Sequence, residues 1–268
     1  MTKQVICINW GTKYGAPYVN RLYAMVARNI TPPFTFTCFT DNPAGIHPAV
    51  ICEELPEIDY EIPKTKRGIW PKSRLWGAKL GSLSGVVLFL DLDVVITGSL
   101  DDFFTFGDPG DVILSRNPVK PFERLGQTSV YRFPVGKLRP IQEKFAANPL
   151  EVAEQYVYEQ RYVTREAPGG IKFFPRRWIR HFRLQCLPHF PLNFFLPAKL
   201  PSSARIVIFP GEVLPEDAIR GGWTGRQGIT LRQHLKAFVD RSSHQKRPFQ
   251  FLRHFMRPVK WVEDHWRE

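Results

Sequence analysis

An α/β fold with a mostly parallel sheet flanked by helices is predicted by three observations: an early strand, helix and second strand, an apolar run that ends in two carboxylates, and a late apolar strand. Residues 5–9 are apolar and β-prone, followed by a loop through Trp10, Gly11, Tyr14 and Gly15. Pro17 then opens a helix in which Val19, Leu22, Tyr23 and Val26 recur at helical spacing. Phe34–Thr40 alternates as a strand and stops at Asp41, Asn42 and Pro43. Strand, helix and strand within about forty residues form a βαβ unit, which makes the sheet parallel at its start.

Residues 85–98 carry the strongest signal. The stretch is rich in Val and Leu and ends in Thr97 and Gly98, the pattern of a strand covered on both faces, yet Asp91 and Asp93 interrupt it. Read as one continuous strand, alternation places both carboxylates on the same face, about 7 Å apart. Two buried like charges at that spacing call for a cation between them, and a divalent ion held by hard oxygen ligands answers the need. In an open α/β sheet the carboxyl ends of the strands are also where ligands bind.

The remaining elements follow in order. Residues 56–72 are polar and turn-rich, and 75–83 read as a short helix leading into the carboxylate strand. Residues 101–104 look like a capped turn, 111–115 and 127–133 like strands, 150–161 like a helix, and 204–209 like a late strand ended by Pro210 and Gly211. The last forty residues are helix-prone, basic and aromatic, so the expected organisation is one domain over 1–225 and a basic helical extension over 226–268.

With 268 residues, 43% hydrophobic and 23% charged, the chain has the composition of an ordinary globular protein able to bury a full core. No apolar run approaches the roughly 18 residues that span a bilayer. The start of the chain carries no basic leader or cleavage site of the usual secretory kind. The four cysteines, Cys7, Cys38, Cys52 and Cys186, show no metal-ligand spacing and read as buried thiols in a reducing compartment. These features together predict a cytoplasmic location, with the inner face of the membrane as a candidate surface.

A formal charge of +12 calls for an anionic partner. The excess gathers late in the chain, at Arg176, Arg177, Arg180 and Arg183, then at Lys246, Arg247, Arg253, Arg257 and Lys260, interleaved with Trp178, Phe182, Phe249, Phe251, Phe255 and Trp261. The absence of a helix-turn-helix, zinc-finger or RRM-type pattern argues against nucleic acid. The alternation in the tail suits an anionic membrane surface.

Several segments together resemble the GT-A fold nucleotide-sugar glycosyltransferases, above all glycosyltransferase family 8 and its bacterial relatives. Asn9, Trp10, Gly11 and Tyr14 look like the family's nucleoside-holding loop, Thr40 and Asp41 like its Thr-Asp pair, and Trp70, Pro71, Lys72 like its Trp-x-Lys segment. Asp91 and Asp93 match its Asp-x-Asp, followed by a Gly-x-Leu-Asp turn at Gly98 to Asp101. Gln127 to Val130, including Ser129, stands where the family has Asn-Ser-Ser-Val. Glu154 and Gln155 stand for an Asp-Gln pair near the reacting sugar carbon. Phe209, Pro210, Gly211 stands for a Phe-His-Gly segment whose His is a third metal ligand. Pro210 has no donor atom, which leaves Glu212 as the nearest oxygen donor and His189 as a further candidate.

The resemblance implies a Mn²⁺- or Mg²⁺-dependent transfer of a sugar from a nucleoside diphosphate, UDP above all, to a glycan or glycolipid acceptor with retention at the anomeric carbon, in surface polysaccharide or lipopolysaccharide synthesis. The metal would be held by Asp91, Asp93 and Glu212. The donor would meet Asn9, Trp10, Gly11, Tyr14, Asp41, Lys72, Asp91 and Ser129. A cation beside the leaving diphosphate neutralises its growing charge, which gives these residue types their chemical sense. Bland alternatives stay open: a solvated lysine at 72, core packing for Trp10 and Tyr14, and a plain helix face for Glu154 and Gln155. Two other classes also stay open. One is a non-catalytic adaptor for anionic glycans or membranes. The other is a haloacid-dehalogenase-like phosphatase, which the apolar Val94, Val95 and Ile96 after the second Asp disfavour.

Overall fold

Val5, Ile6 and Cys7 have no exposed surface, and their strand, β1 (Lys3–Asn9), is an inner strand flanked by strands on both sides. A computed structural model describes residues 2–64, 67–240 and 248–268; Lys246 and Arg247 of the basic stretch lie outside the described residues. After β1 come α1 (Ala16–Asn29), β2 (Phe34–Thr40), β3 (Ile51–Glu53) and a 3₁₀ helix over Trp70–Trp76. Then follow β4 (Val86–Leu90), β5 (Val95–Ile96), α2 (Asp101–Thr105), β6 (Val112–Arg116) and β7 (Gly126–Pro134). The chain continues through α3 (Arg139–Ala147), α4 (Pro149–Tyr156), α5 (Glu159–Glu166), β8 (Ile171–Phe173), β9 (Ile179–His181) and β10 (Ile206–Ile208). It closes with α6 (Pro215–Arg220), β11 (Gly222–Trp223), β12 (Arg226–Gln227), α7 (Leu231–Val239), α8 (Pro248–Arg253) and α9 (Lys260–His265).

These elements form two units. The first comprises Met1–Leu92 and Ser99–Arg176, and the second Asp93–Gly98 and Arg177–Glu268. This division differs from the expected boundary near residue 225. The sequence signal for that boundary was the basic, aromatic character of the tail, whereas the tail shares its core with the residues before it: Phe255, Val259, Val262 and Trp266 are buried, and the Trp261 indole donates to the Ala198 carbonyl at 3.0 Å.

The first unit is built on a seven-stranded sheet in the order β3-β2-β1-β4-β7-β6-β8. Pairing is parallel from β3 through β4, antiparallel on both sides of β7, and parallel again between β6 and β8. α1 covers it with the face Tyr18, Val19, Leu22, Met25 and Val26, which includes the expected Val19, Leu22 and Val26, whereas Tyr23 is only partly buried. Beside the sheet, Trp70 stacks on Phe145 with centroids 4.9 Å apart and Trp76 packs against Tyr162. Truncating a buried Trp of this kind costs about 3–5 kcal/mol. Arg132 on β7 is fully buried, and its guanidinium donates to the carbonyls of Phe103, Phe104, Phe106 and Asp108 at 2.6–3.2 Å, which satisfies the open end of α2.

In the second unit, β10 lies between β5, antiparallel, and β9, parallel. β11 and β12 make a small hairpin. Buried Asp217 ties that hairpin to α6, accepting from the Leu214 amide at 2.9 Å, the Thr224 hydroxyl at 2.9 Å and the Gln227 amide at 2.5 Å.

Four expectations need correction. Residues 85–98 are two strands: β4 ends at Leu90, a turn carries Asp91 to Asp93, and β5 joins a different sheet. The helix expected over 150–161 is split into α4 and α5 at Val157, whose φ of 65° no helix interior accommodates. The helix expected over 75–83 is displaced upstream into the 3₁₀ turn, where Pro71 occupies a position that needs no amide donor. Cys7, Cys38 and Cys186 are buried free thiols, but Cys52 on the short strand β3 is exposed.

Candidate functional site

Lys72 is the centre of the site in the first unit. The 3₁₀ turn brings it beneath the sheet, where it is 3% exposed, and its ammonium lies 2.6 Å from Asp91 Oδ1. It also donates to the Thr128 carbonyl at 3.2 Å and sits 5.0 Å from the centroid of the Phe89 ring. A lysine so placed is not a solvated surface residue. Burying an ammonium is unfavourable unless it is paired, and Asp91 with the Thr128 carbonyl supplies that pairing.

Asp91 follows the last residue of β4 and continues the ladder to β7, its amide donating to the Ser129 carbonyl at 2.9 Å. Ser129 is buried beside it, its own amide donating to Gln127 Oε1 at 3.2 Å. Asp91 and Ser129 are therefore held together at the carboxyl end of a parallel strand.

A buried glutamate that sequence reasoning missed completes the arrangement. Glu159, 4% exposed at the start of α5, accepts from the Thr128 hydroxyl at 3.0 Å through Oε1 and from the Ile69 amide at 2.8 Å through Oε2. Ile69 precedes the 3₁₀ turn that carries Lys72, and the Thr128 carbonyl accepts from Lys72, so a closed circuit of hydrogen bonds fixes the lysine. Tyr131 on β7 is pushed far above the usual phenol range, first by burial and then by the charges of Asp91 and Glu159. Glu154 and Gln155 both lie exposed on α4, whereas the second Glu-Gln pair, Glu159 and Gln160, brings its carboxylate into the site. The repeated Glu-Gln dipeptide was a signal that could have pointed there.

The other expected residues assemble at the ends of β1 and β2. Asn9 donates to the Thr40 hydroxyl at 3.4 Å and accepts from the Gly15 amide at 3.3 Å, while the Gly11 amide donates to Asp41 Oδ2 at 2.9 Å. Gly11 has φ +64°, a conformation that favours glycine. Trp10 packs partly buried against the hydrophobic core, the Tyr14 ring lies 4.7 Å from that of Tyr18, and the Tyr14 hydroxyl accepts from the Lys13 ammonium at 2.7 Å. Half-exposed Tyr14 and exposed Asp41 remain accessible to a ligand.

Asp93 belongs to the segment counted with the second unit, as does exposed Glu212, whose carbonyl accepts from the Thr224 hydroxyl. His189 is likewise exposed in the second unit. Among the described residues no three His, Cys, Asp or Glu side chains form a group that could hold a metal ion. The carboxylates of Asp91 and Asp93 are each hard oxygen donors of the type that Mg²⁺ and Mn²⁺ take.

A likeness to solved structures now has a place in this geometry. The galactosyltransferase LgtC, in complex with donor and acceptor sugar analogues, aligns over 79% of this chain and 88% of its own, with a TM-score of 0.53 at 17% identity. GlyE, a glycosyltransferase of Streptococcus pneumoniae TIGR4, aligns over 94% of this chain and 63% of its own, with a TM-score of 0.56 at 12% identity. The bifunctional glycosyltransferase WbbM aligns over 81% of this chain, with a TM-score of 0.55 at 12% identity, and the chain spans 47% of its length. The fold is GT-A-like. No protein-family model matches the sequence, and no curated protein matches it either. In this GT-A-like frame, Lys72, Asp91 and Ser129 occupy the carboxyl side of the parallel strands, the edge where open α/β sheets bind their ligands. No helix among the described residues is long and apolar enough to cross a membrane.

Proposed function

We propose that the protein is a glycosyltransferase that moves a sugar from a nucleoside diphosphate, UDP above all, to a glycan or lipid-linked acceptor, in the synthesis of a surface polysaccharide or lipopolysaccharide. The observation that carries this reading is the Lys72–Asp91 ion pair at 2.6 Å, a fixed positive charge at the end of β4 in a GT-A-like fold. In the reaction the bond from the anomeric carbon to the diphosphate breaks, a bond to the acceptor oxygen forms, the acceptor hydroxyl loses its proton, and negative charge is left on the diphosphate. Lys72 is held ready to face that charge, without reorganisation at the moment of reaction. Glu159 and Thr128 are positioning residues that hold Lys72 through the Ile69 amide and the Thr128 carbonyl.

Asp91 and Asp93 would hold a Mn²⁺ or Mg²⁺ ion together with the donor's phosphate oxygens, and when bound the ion supplies Lewis-acid stabilisation of the leaving group. Gly11, Tyr14 and Asp41 border the place where the nucleoside would lie. Retention at the anomeric carbon is part of the proposal, as is a reducing cytoplasmic setting suited to the free thiols.

The test is turnover of a panel of sugar nucleotides with Mn²⁺ and a mixed glycan and glycolipid acceptor preparation. Release of nucleoside diphosphate that Lys72→Met abolishes supports the reading. Absence of any turnover, with nucleotide binding indifferent to EDTA and to Asp93→Asn, overturns it and favours the non-catalytic adaptor.

A further inference from the structure

The second unit contains a cavity of about 590 Å³ that the transfer reading does not use. Its wall includes Arg183, Phe190, Asn193, Trp223, Arg253 and His254. The volume falls within the range of about 300–1,000 Å³ typical of small-molecule sites.

Three observations define what such a cavity would hold. Arg183 and Arg253 are both exposed, and among the described residues neither has a carboxylate within ion-pair distance. Arg183 lies 5.1 Å above the Trp223 ring, whose stack with His254 has centroids 4.4 Å apart at an interplanar angle of 9°. Stacking orders the guanidinium before any ligand arrives, which lowers the entropic cost of forming a planar two-point contact with an anion. Glu212 acts electrostatically on His254 but is not part of the wall, whose charged groups are the two guanidiniums.

Two deeply buried wall residues have polar atoms that no protein group satisfies. Asn193 is 1% exposed; its amide nitrogen donates to the Phe255 carbonyl at 2.8 Å, but its Oδ1 has no partner. Trp223 is 6% exposed, and its indole Nε1 has no acceptor. Both atoms are closed off from solvent, so they belong to the packing behind the wall and not to the surface that a ligand meets. The occupant must offer negative charge to the arginines. It must also present a face to Phe190, which is 42% exposed at the rim.

We propose that this cavity binds an acidic saccharide, whose carboxylate or phosphate meets Arg183 and Arg253 and whose C–H face packs on Phe190. If the protein is a transferase, the acceptor is then an anionic glycan; that extension rests on the transfer reading, while binding itself does not.

The experiment is calorimetry on the full chain without any donor, so a failure here leaves the transfer reading intact. The probes are a glucuronosyl-glucose disaccharide, cellobiose as its neutral counterpart, inorganic phosphate, UDP, and phosphatidylglycerol vesicles. The expected result is acidic disaccharide binding at least tenfold tighter than cellobiose, weakened at least tenfold by Arg253→Gln and by added salt. Arg253 is exposed and, among the described residues, without an ion-pair partner, so its replacement should leave the fold intact, as a melting curve will verify. Equal affinity for both disaccharides, or affinity unchanged in Arg253→Gln, overturns the proposal. Arg253-dependent binding of phosphate, vesicles or UDP with no binding of the disaccharide overturns it too, and assigns the cavity to a phosphate group instead.

Discussion

Lys72 and Asp91 form an ion pair at 2.6 Å in which the lysine is buried and the aspartate faces the carboxyl end of the sheet. The pair gives the site a cation that is covalently part of the chain. Replacing Lys72 by Met removes the charge and keeps most of the volume. Sugar-nucleotide turnover is expected to fall about 10²–10³-fold, the scale of losing one preorganised electrostatic contact. Steady-state kinetics beside a melting curve checks this, and an unchanged kcat in the folded variant would remove Lys72 from the chemistry.

Glu159 acts on the reaction through Lys72, so its loss should differ from that of Lys72. Glu159→Gln retains the shape but weakens the contacts to Ile69 and Thr128, with an expected stability loss of about 1–3 kcal/mol and a smaller fall in kcat than Lys72→Met. Glu154→Gln and Gln155→Ala change an exposed helix face and should leave kcat within about twofold and stability within about 0.5 kcal/mol. Denaturant titration and kinetics on the three variants separate the two Glu-Gln pairs.

Metal binding should depend on the donor. With Asp91 and Asp93 as its carboxylates, Mn²⁺ should bind weakly to the free protein and at least tenfold more tightly once UDP is present. Asp93→Asn should abolish that coupling, and Pro210→His should strengthen Mn²⁺ binding by supplying a further ligand. Calorimetry with and without UDP reads all three.

The second unit should lose stability on mild acidification. His181 and His234 are both buried and held down to about 4, in each case first by burial and then by a neighbouring arginine, Arg183 and Arg226 respectively. A histidine whose folded value lies below its unfolded value binds its proton preferentially in the unfolded chain. Stability is then complete above about pH 6.5 and is lost as the pH falls toward 4, at up to about 1.4 kcal/mol per pH unit for each group. Asp101, held far below the usual carboxylate range by Lys3, Thr31 and Ser99 against the opposing effect of burial, contributes its loss only below about pH 4. His254 is also lowered, first by burial and then by Arg183. Glu123 and Glu166 are held below the usual carboxylate range by Arg161 and Lys144 respectively. Denaturant unfolding between about pH 7 and about pH 5.5 therefore reads mainly the histidines, and His234→Phe should reduce the slope by roughly a third.

Thiol chemistry should single out Cys52. In the native protein a water-soluble thiol reagent is expected to modify this exposed residue first, while Cys7, Cys38 and Cys186 react only on unfolding. Mass spectrometry of the labelled protein shows which thiol has reacted.

The first sheet was legible because its strands announce themselves locally: the alternating Phe34–Thr40 stops at turn-forming Asp41 and Asn42, and α1 follows its apolar stripe. The run at 85–98 was misread because apolarity reports burial and not sheet membership. Val95 and Ile96 are apolar for β10, in a different sheet from β4. Lys72 and Glu159 were hard to place for a shared reason, since a charged residue becomes a buried one only when a distant partner exists, and 56 residues separate Lys72 from Thr128. The break at Val157 hid Glu159, because nothing in a β-branched residue announces a left-handed backbone.

The six residues Asp93–Gly98 are numbered inside the first unit but folded with the second, where Val95 and Ile96 pair with Val207 and Ile206. A chimera that exchanges the second unit by cutting the gene at Arg176 would import a β10 whose partner strand remained behind with the recipient. Recombination that changes this half of the protein as a cassette must therefore graft two separated pieces, and one of them begins at Asp93, two residues from the aspartate that holds Lys72.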